Sequence, residues 1–238
     1  MTRKPTEELG SSGERRHSEG LEPSGDPESS GDSKPSDATL DTRTALLRAG
    51  RAMFARRGYD GASIRAITEE AGANLASVTY HFGSKQALYR EVLREALAPL
   101  VERVEAIAGG PGRSVERTEA VVRAFFAHLA DNPDLPQLML QEMAAGKNPP
   151  EPVERFLRSV SGSLARIVRE GQALGEIRAG DPALLGLSCV IQPIHLTLVR
   201  HWLGFLRGVD PGEPAQRSSL VEHAVAFTRA GLTAPEEE

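Results

Sequence analysis

Apolar residues recur every three or four positions through most of the chain from about Thr39 onward, which is the spacing of helices with one buried face. The first such segment has apolar positions that include Leu46 and Met53, and arginines occupy much of its remaining surface. Thr39 or Asp41 is expected to cap this helix, because a side-chain oxygen there can accept hydrogen bonds from free backbone N–H groups. Gly58 is expected to end it.

Two short helical segments follow, joined by a tight turn. Ser63 is a suitable N-cap for the first segment, whose apolar positions lie at i, i+3 and i+7 from Ile64. Gly72 is expected to stop this helix, and residues 73–82 are expected to form the second, with Val78 facing inward. A short helix, a turn that contains glycine and a second short helix together predict a helix-turn-helix.

The rest of the chain also shows only helical patterns. A fourth helix is expected from about residue 85 to residue 108, with Ser84 as its N-cap, and Asp181 is the expected N-cap of a later helix that has Pro182 at its first position. Further helices are separated by predicted loops at 108–114, 131–134, 146–152, 175–182 and 208–214. We therefore predict an all-α protein of about nine helices, in which a three-helix helix-turn-helix unit precedes a larger helical part.

The longest apolar run, residues 183–206, has the length of a membrane span. Pro193, His195, Arg200 and His201 interrupt it, however, and ionisable groups are costly at the depth of the bilayer. A helix buried in the protein core or in a dimer interface is the favoured interpretation, so we expect no membrane partner.

Composition adds an N-terminal tail and a local positive charge to this picture. Gly, Ser and Pro make up 17 of the first 38 residues, and such a segment buries too little apolar surface to offset the entropy of ordering it. The net charge is −5, yet residues 39–92 carry +3, with eight Lys and Arg against five Asp and Glu. A local cationic patch attracts phosphates. The expected division is a disordered tail over 1–38, a helix-turn-helix domain over 39–92 and a helical domain over 93–238.

Several function classes find no support in the chain. Cys189 is the one cysteine, which favours a reducing compartment, and the N-terminal residues lack the apolar stretch of a signal peptide, so we expect a cytoplasmic protein. The histidines have no metal-ligand spacing, and residues 109–114 lack the Gly-Lys-Ser/Thr ending of a phosphate loop. We therefore predict no metal, no cofactor and no enzymatic activity.

Residues 76–89, ASVTYHFGSKQALY, contain the chemistry that most needs an explanation. In a helix-turn-helix the second helix lies in the major groove of DNA, and small outward side chains let it sit deep. Hydrogen-bond donors at its C-terminal end, such as Tyr80, His81 and Lys85, are placed to contact phosphate oxygens. The alternative is a structural corner, since short helices around a glycine turn occur in many folds and a Tyr-His pair is often simply half-buried.

Residues 42–93 resemble the DNA-binding domain of the tetracycline-repressor (TetR/AcrR) family of bacterial transcriptional regulators. The resemblance is carried by F-x-x-x-G-Y-x-x-x-S leading into I-x-x-x-A-G, followed by Y-H-F-x-S-K-x-x-L. The chain departs from the family pattern at Thr79, where a second aromatic residue is usual, and at Ala73, where valine is usual. The departure at Thr79 concerns base preference rather than fold.

The resemblance implies contacts to double-stranded DNA for nine residues, with Arg65 as the best candidate for bidentate guanine readout. These residues are Ser63, Arg65, Leu75, Ala76, Ser77, Thr79, Tyr80, His81 and Lys85. Asn74 is open to two interpretations, a cap of the recognition helix or a DNA contact, and the cap is favoured.

For residues 93–238 the resemblance implies a helical effector-binding and dimerisation domain, and so a homodimeric regulator, a repressor released from a palindromic operator by an unidentified small molecule. The helices at 182–207 and 215–232 resemble the two that form a four-helix bundle with a partner, so Trp202, Leu203, Phe205 and Leu206 are interface or core residues.

The candidates for the effector pocket are Phe125, Phe126, Met139, Gln141, Met143, Gln192 and His195, each of which could instead be a core residue or face a partner. The competing functions are a helical enzyme and a protein-binding scaffold with a silent helix-turn-helix.

Overall fold

The computed structural model describes residues 37–146, 148–208 and 213–233, and residues 1–36 of the tail predicted over 1–38 lie outside them. Within these residues the chain forms ten helices and no β-strand, which confirms the all-α prediction. The helices are α1 (Asp37–Gly61), α2 (Ile64–Ala71), α3 (Ala76–Phe82), α4 (Lys85–Gly109), α5 (Ser114–Asp131), α6 (Leu135–Ala144), α7 (Glu151–Ala173), α8 (Pro182–Leu198), α9 (Arg200–Arg207) and α10 (Pro214–Leu232).

Three of these helices begin at side-chain caps that the sequence predicts. The hydroxyl oxygens of Ser63 and Ser84 each accept a hydrogen bond from the backbone N–H three residues on, at 3.1 Å. Asp181 Oδ1 accepts from the N–H of Ala183 at 2.8 Å, with Pro182 at the first helical position. These caps satisfy N–H groups that have no partner within the helix, and they fix where α2, α4 and α8 start.

The start of α1 differs from the prediction. The helix begins at Asp37, so Thr39 and Asp41 lie inside its first turns and not at its N-cap position, and the last two residues of the predicted tail are helical. Gly58 does interrupt the helix, at φ 68 and ψ 177, and one further turn continues to Gly61. The positive φ explains why glycine stands at this break.

The helix predicted over 182–207 is in fact two helices, so the described residues form ten helices where about nine are predicted. Val199 separates α8 from α9 at φ −89 and ψ 13. Two residues earlier, the hydroxyl of Thr197 donates to the carbonyl of Pro193 at 2.8 Å. A side-chain bond of this kind competes with the helical pattern and often bends the helix, which accounts for the break near this point.

Helix α4 is the centre of the larger of two apolar clusters. Leu88, Leu93 and Val104 on α4 are fully buried, and this cluster runs from α1 and α3 through α4 to α6, α7 and α8. The second cluster joins α5, α7, α8 and α10. Helix α4 packs against α1 and α3 and also against α5 and α7, so it connects the helix-turn-helix unit to the rest of the bundle. In the part of the chain that the structure describes, no helix is both long and apolar enough to cross a membrane.

Candidate nucleic-acid interface

The α2-turn-α3 segment is held by its inward face. Ile67 on α2 and Val78 on α3 are fully buried in the larger cluster. Gly72 closes α2 in the left-handed conformation, at φ 65, and the N–H of Ala73 then bonds to the carbonyl of Thr68 at 2.9 Å. The predicted helix-turn-helix is therefore present, with α3 starting at Ala76 rather than at Ala73.

The opposite face of α3 is open to solvent. The side chains of Leu75 and Tyr80 are 60% and 78% exposed, Ala76 and Thr79 are also exposed, and Ser77 is half-buried. This face is small at its centre and has Tyr80 at its C-terminal end. A helix that enters a major groove needs such a face, because small side chains allow close approach to the bases.

Asn74 caps the recognition helix. Its Oδ1 accepts hydrogen bonds from the backbone N–H of Ser77 at 3.0 Å and from the hydroxyl of Ser77 at 2.9 Å. Of the two interpretations of Asn74, the geometry supports the cap. The same contact occupies the Ser77 hydroxyl proton and leaves the lone pairs of that oxygen for an incoming donor.

The candidate phosphate contacts Tyr80, His81 and Lys85 lie where α3 ends and α4 begins. The rings of Tyr80 and His81 meet edge to face, with centroids 4.9 Å apart. Ser84 caps α4 and Lys85 is its first residue, so the backbone N–H groups of the first turn and the Lys85 cation belong to the same helix N-terminus. Tyr80, His81 and Lys85 thus belong to the junction between α3 and α4, at the C-terminal end of the exposed face of α3, where a phosphate-contacting edge is expected.

Arg65 lies on the exposed side of α2 and already has a partner. Its Nε donates to Glu69 Oε1 at 2.9 Å, and this hydrogen bond raises the pKa of the Arg65 guanidinium. Guanine readout would require Arg65 to exchange this carboxylate for base acceptors, which is inexpensive for so exposed a pair. Sequence reasoning missed Glu69, although the i, i+4 spacing of the two residues was a readable signal.

Helix α6 contacts both α1 and α4. Gln141 Nε2 donates to the backbone carbonyl of Ala55 on α1 at 2.7 Å, and the Tyr89 hydroxyl on α4 donates to Glu142. Burial, and then the bond to Glu142, raise the pKa of Tyr89, which keeps the hydroxyl protonated as a donor. These contacts join residues that are far apart in sequence, and no local pattern predicted them.

The residues predicted to line an effector pocket occupy several environments. Phe125 and Phe126 are both buried, but they belong to different apolar clusters. Met139 packs at the edge of the larger cluster, Gln192 is half-buried, and His195 and Met143 are exposed. Gln141 belongs to the contact with α1. The assignment of these residues to an effector pocket stays a prediction.

A cleft of about 330 Å³ lies elsewhere, between the end of α1, the start of α4 and the segment that joins α6 to α7. Tyr59, Tyr89, Arg90 and Glu142 are among its lining residues, and none of the predicted pocket residues lines it. Within residues 37–146, 148–208 and 213–233, no group of three or more His, Cys, Asp or Glu side chains is arranged to hold a metal ion.

Comparison with known families now places the chain. Residues 46–92 match the family described as bacterial regulatory proteins, tetR family, and residues 115–227 match the tetracyclin repressor-like C-terminal domain. The chain belongs to the tetR family of bacterial regulatory proteins. The two matches confirm the predicted architecture, in which a helix-turn-helix unit precedes a larger helical part.

Individual proteins show the same relationship. The repressor AcnR of Corynebacterium efficiens is 34% identical over 68 residues, which are 29% of this chain and only 36% of AcnR. The regulator RutR of Escherichia coli is 29% identical over 188 residues, covering 74% of this chain and 81% of RutR. The crystal structure of FadR from Bacillus subtilis in complex with stearoyl-CoA has the same fold, with a TM-score of 0.60 at 17% identity, covering 79% of this chain and 98% of FadR.

Proposed function

We propose that the chain is a homodimeric transcriptional repressor that binds a palindromic DNA operator and is released from it by a small molecule. In this proposal residues 39–92 read the DNA, whereas residues 93–238 bind the effector and form the dimer. The protein acts in the cytoplasm, where the operator is.

The observation that supports DNA binding best is the two-sided character of α3. Val78 anchors one side in the core, while Leu75, Thr79 and Tyr80 on the other side are exposed. An exposed face of small side chains with phosphate donors at its end fits a major groove better than it fits a protein partner, because a protein partner would favour a wider apolar patch.

The nine candidate residues divide by role. Ser63, Tyr80, His81 and Lys85 contact phosphates and set the register of the protein on the duplex. Arg65 reads a base pair edge from α2, and the face of α3 formed by Leu75, Ala76, Ser77 and Thr79 contacts bases in the groove.

Exposed apolar residues near the C-terminus support a dimer. Trp202, Phe205 and Leu206 on α9 are 68%, 86% and 65% exposed, so within the described chain they are not core residues. Leu187 and Ile191 on α8 and Phe227 on α10 are also at least half exposed. Large apolar surfaces of this kind favour a second copy, and a two-fold dimer sets its two α3 helices about 34–36 Å apart, or at a larger spacing, on the operator.

Release by an effector requires the small molecule to prefer a conformation that does not fit DNA. The continuous α4 and the contacts of α6 with α1 and α4 support this step, because they connect the bundle to α1 and α4, the helices against which α3 packs. The candidates for the effector pocket remain Phe125, Phe126, Met139, Met143, Gln192 and His195.

A binding titration with the DNA upstream of the coding sequence tests the proposal. The full chain should bind selectively, with an affinity that falls steeply as salt rises, because phosphate contacts release counterions. Tyr80→Ala and Lys85→Ala should weaken binding to all sequences, and Lys85→Ala should reduce the salt slope by about one. Arg65→Ala should also blur selectivity among operator variants.

Arg158→Ala is the matched control, since it removes an exposed cation from α7, far from the recognition helix in the chain. It should leave binding unchanged. Equal, non-selective binding by the wild type and by Lys85→Ala would contradict the proposal and favour an enzyme or a protein-binding scaffold.

A further inference from the structure

Tyr59 has a position that the DNA-binding role does not yet explain. It follows the backbone break at Gly58, and its ring lies against those of Phe54 and Tyr89, with centroid distances of 6.2 and 5.1 Å. Phe54 and Tyr89 themselves meet edge to face at 4.7 Å. Three packed rings leave Tyr59 little freedom, so the half-buried ring is a fixed surface beside α4.

The ammonium of Lys85 lies over this surface. Lys85 Nζ is 4.4 Å from the centroid of the Tyr59 ring, well within the range in which the ring quadrupole attracts a cation. A lysine side chain has four rotatable bonds, and holding it at one place costs conformational entropy. Because the Tyr59 ring is already fixed, its attraction for the ammonium offsets part of this entropy cost before DNA binds.

The contact leaves the lysine able to bind a phosphate. An ammonium has three N–H donors, and a ring on one side of it leaves the other donors available. Lys85 is also the first residue of α4, next to the exposed end of α3. In the proposed function this junction of α3 and α4 lies along a backbone phosphate of the bound duplex.

We propose that Tyr59 is a positioning residue for DNA binding, whose ring holds the Lys85 ammonium in place for a backbone phosphate. This inference rests on the proposed function of the chain. It assigns to Tyr59 an electrostatic role through Lys85 in addition to its packing against Phe54 and Tyr89.

The decisive experiment changes the electrostatics of the ring without changing its size. Position 59 of the full chain is replaced by phenylalanine and by phenylalanines with one, two and three ring fluorines, which progressively weaken the negative face of the ring. DNA affinity is measured by fluorescence anisotropy at several salt concentrations. Affinity should fall steadily with fluorine number, to a total of roughly two- to fivefold, since that is the size of an exposed cation–π contact.

The same series is repeated in the Lys85→Ala background. There the fluorines should have no effect, because the cation that they act on is absent. A series that is flat in both backgrounds would show that Tyr59 only packs. A series in which affinity rises with fluorine number would show that the ring withholds Lys85 from DNA, and either result overturns the inference.

Failure of the inference is separable from failure of the proposed function. If the wild type binds selectively and Lys85→Ala weakens it while the fluorine series stays flat, the regulator assignment stands and the role of Tyr59 is wrong. If the wild type shows no selective binding, both are wrong. A proton NMR measurement needs no variant to detect the contact, since the ring current of Tyr59 should shift the ε-methylene protons of Lys85 upfield.

Discussion

Arg51 on α1 and Asp134 at the start of α6 form a two-point ion pair, with Nε 2.8 Å from Oδ2 and Nη2 2.6 Å from Oδ1. Arg51 Nη2 also donates to Asn132 Oδ1 at 2.9 Å. A guanidinium and a carboxylate in this arrangement make parallel charge-assisted hydrogen bonds, which fix relative orientation as well as distance. The pair therefore ties the first helix to the segment between α5 and α6.

Replacement of Asp134 by asparagine should lower the free energy of unfolding by about 1 kcal/mol, because both side chains are partly shielded from solvent and the paired geometry is lost. Urea unfolding of the two proteins measures the difference. Glu154→Gln is the matched control, since it removes a more exposed i, i+4 pair with Arg158 and should have a much smaller effect. Equal effects of the two changes would contradict a specific role for the α1–α6 pair.

The Arg51–Asp134 pair should also account for part of the loss of folding stability in acid. Burial alone would raise the pKa of Asp134, but the hydrogen bond and the charge of Arg51 outweigh it and lower that pKa. A carboxyl with a lowered folded-state pKa stabilises the fold above its unfolded pKa of about 4, and this stabilisation is lost as the pH falls through the folded value. Stability between about pH 5 and pH 2 should therefore fall less steeply in Asp134→Asn.

The measurement is the urea midpoint as a function of pH. Part of the acid dependence should survive the substitution, because Arg94 and the other partners of Glu91 lower the pKa of that carboxyl as well, and the Ser114 N–H does the same for Glu176. If the urea midpoint of Asp134→Asn falls with acid pH as steeply as that of the wild type, the Asp134 carboxyl titrates alike in the folded and unfolded chains.

These contacts mark the boundary of what the sequence could predict. The caps Ser63, Ser84 and Asp181 were readable because a cap and its partner lie within three residues of each other. The break between α8 and α9 and the start of α1 were not, because propensity and periodicity determine helix ends only weakly. The Arg51–Asp134 pair depends on how distant helices pack.

The candidate site shows the same division. The exposed face of α3 is local to one stretch of the chain, so residue types and spacing were enough to predict it, whereas the phosphate contacts of Tyr80 and Lys85 stay a prediction. Tyr59 escaped notice because it lies 26 positions before Lys85, on the far side of two helices in sequence. The cleft beside Tyr59 escaped for the same reason, since three separate segments form it.

Gly186→Ala should destabilise the fold by about 1–3 kcal/mol, because overpacking forces neighbouring groups to shift. A Cβ at position 186 on α8 would lie 2.7 Å from Leu164 Cβ and 3.3 Å from the Leu164 carbonyl carbon on α7, so the two helices would have to move apart. Thermal or urea unfolding measures the loss.

Gly162→Ala provides the control on α7 itself. A Cβ there meets nothing within 4 Å, so the substitution should be neutral or should stabilise by up to about 1 kcal/mol through helix propensity. Should Gly186→Ala prove as benign as Gly162→Ala, the close crossing of α7 and α8 would be incorrect.

Phe205→Glu should convert a dimer to monomers at micromolar concentration. Phe205 is 86% exposed on α9, and a carboxylate there would be buried without a partner if two copies met at this surface. Sedimentation velocity measures the change, with Leu157→Glu as control, since Leu157 is an exposed apolar residue on α7. A wild-type chain that sediments as a monomer would remove the basis for a dimer at this surface.

Cys189 should resist alkylation in the folded protein. The side chain is 5% exposed on α8 with its thiol directed to the Leu185 carbonyl at 3.2 Å, and burial raises the pKa of the Cys189 thiol to about 11. Thiolate is the reactive form, so near neutral pH both low access and a very small thiolate fraction slow the reaction with iodoacetamide. Labelling followed by mass spectrometry should show one adduct per chain only after urea is added.

Ser161→Cys in a Cys189→Ala background is the matched control, because Ser161 makes the same i−4 carbonyl contact on an exposed part of α7 and should label rapidly. Equal rates for the two cysteines in the absence of urea would mean that α8 opens freely against the second apolar cluster.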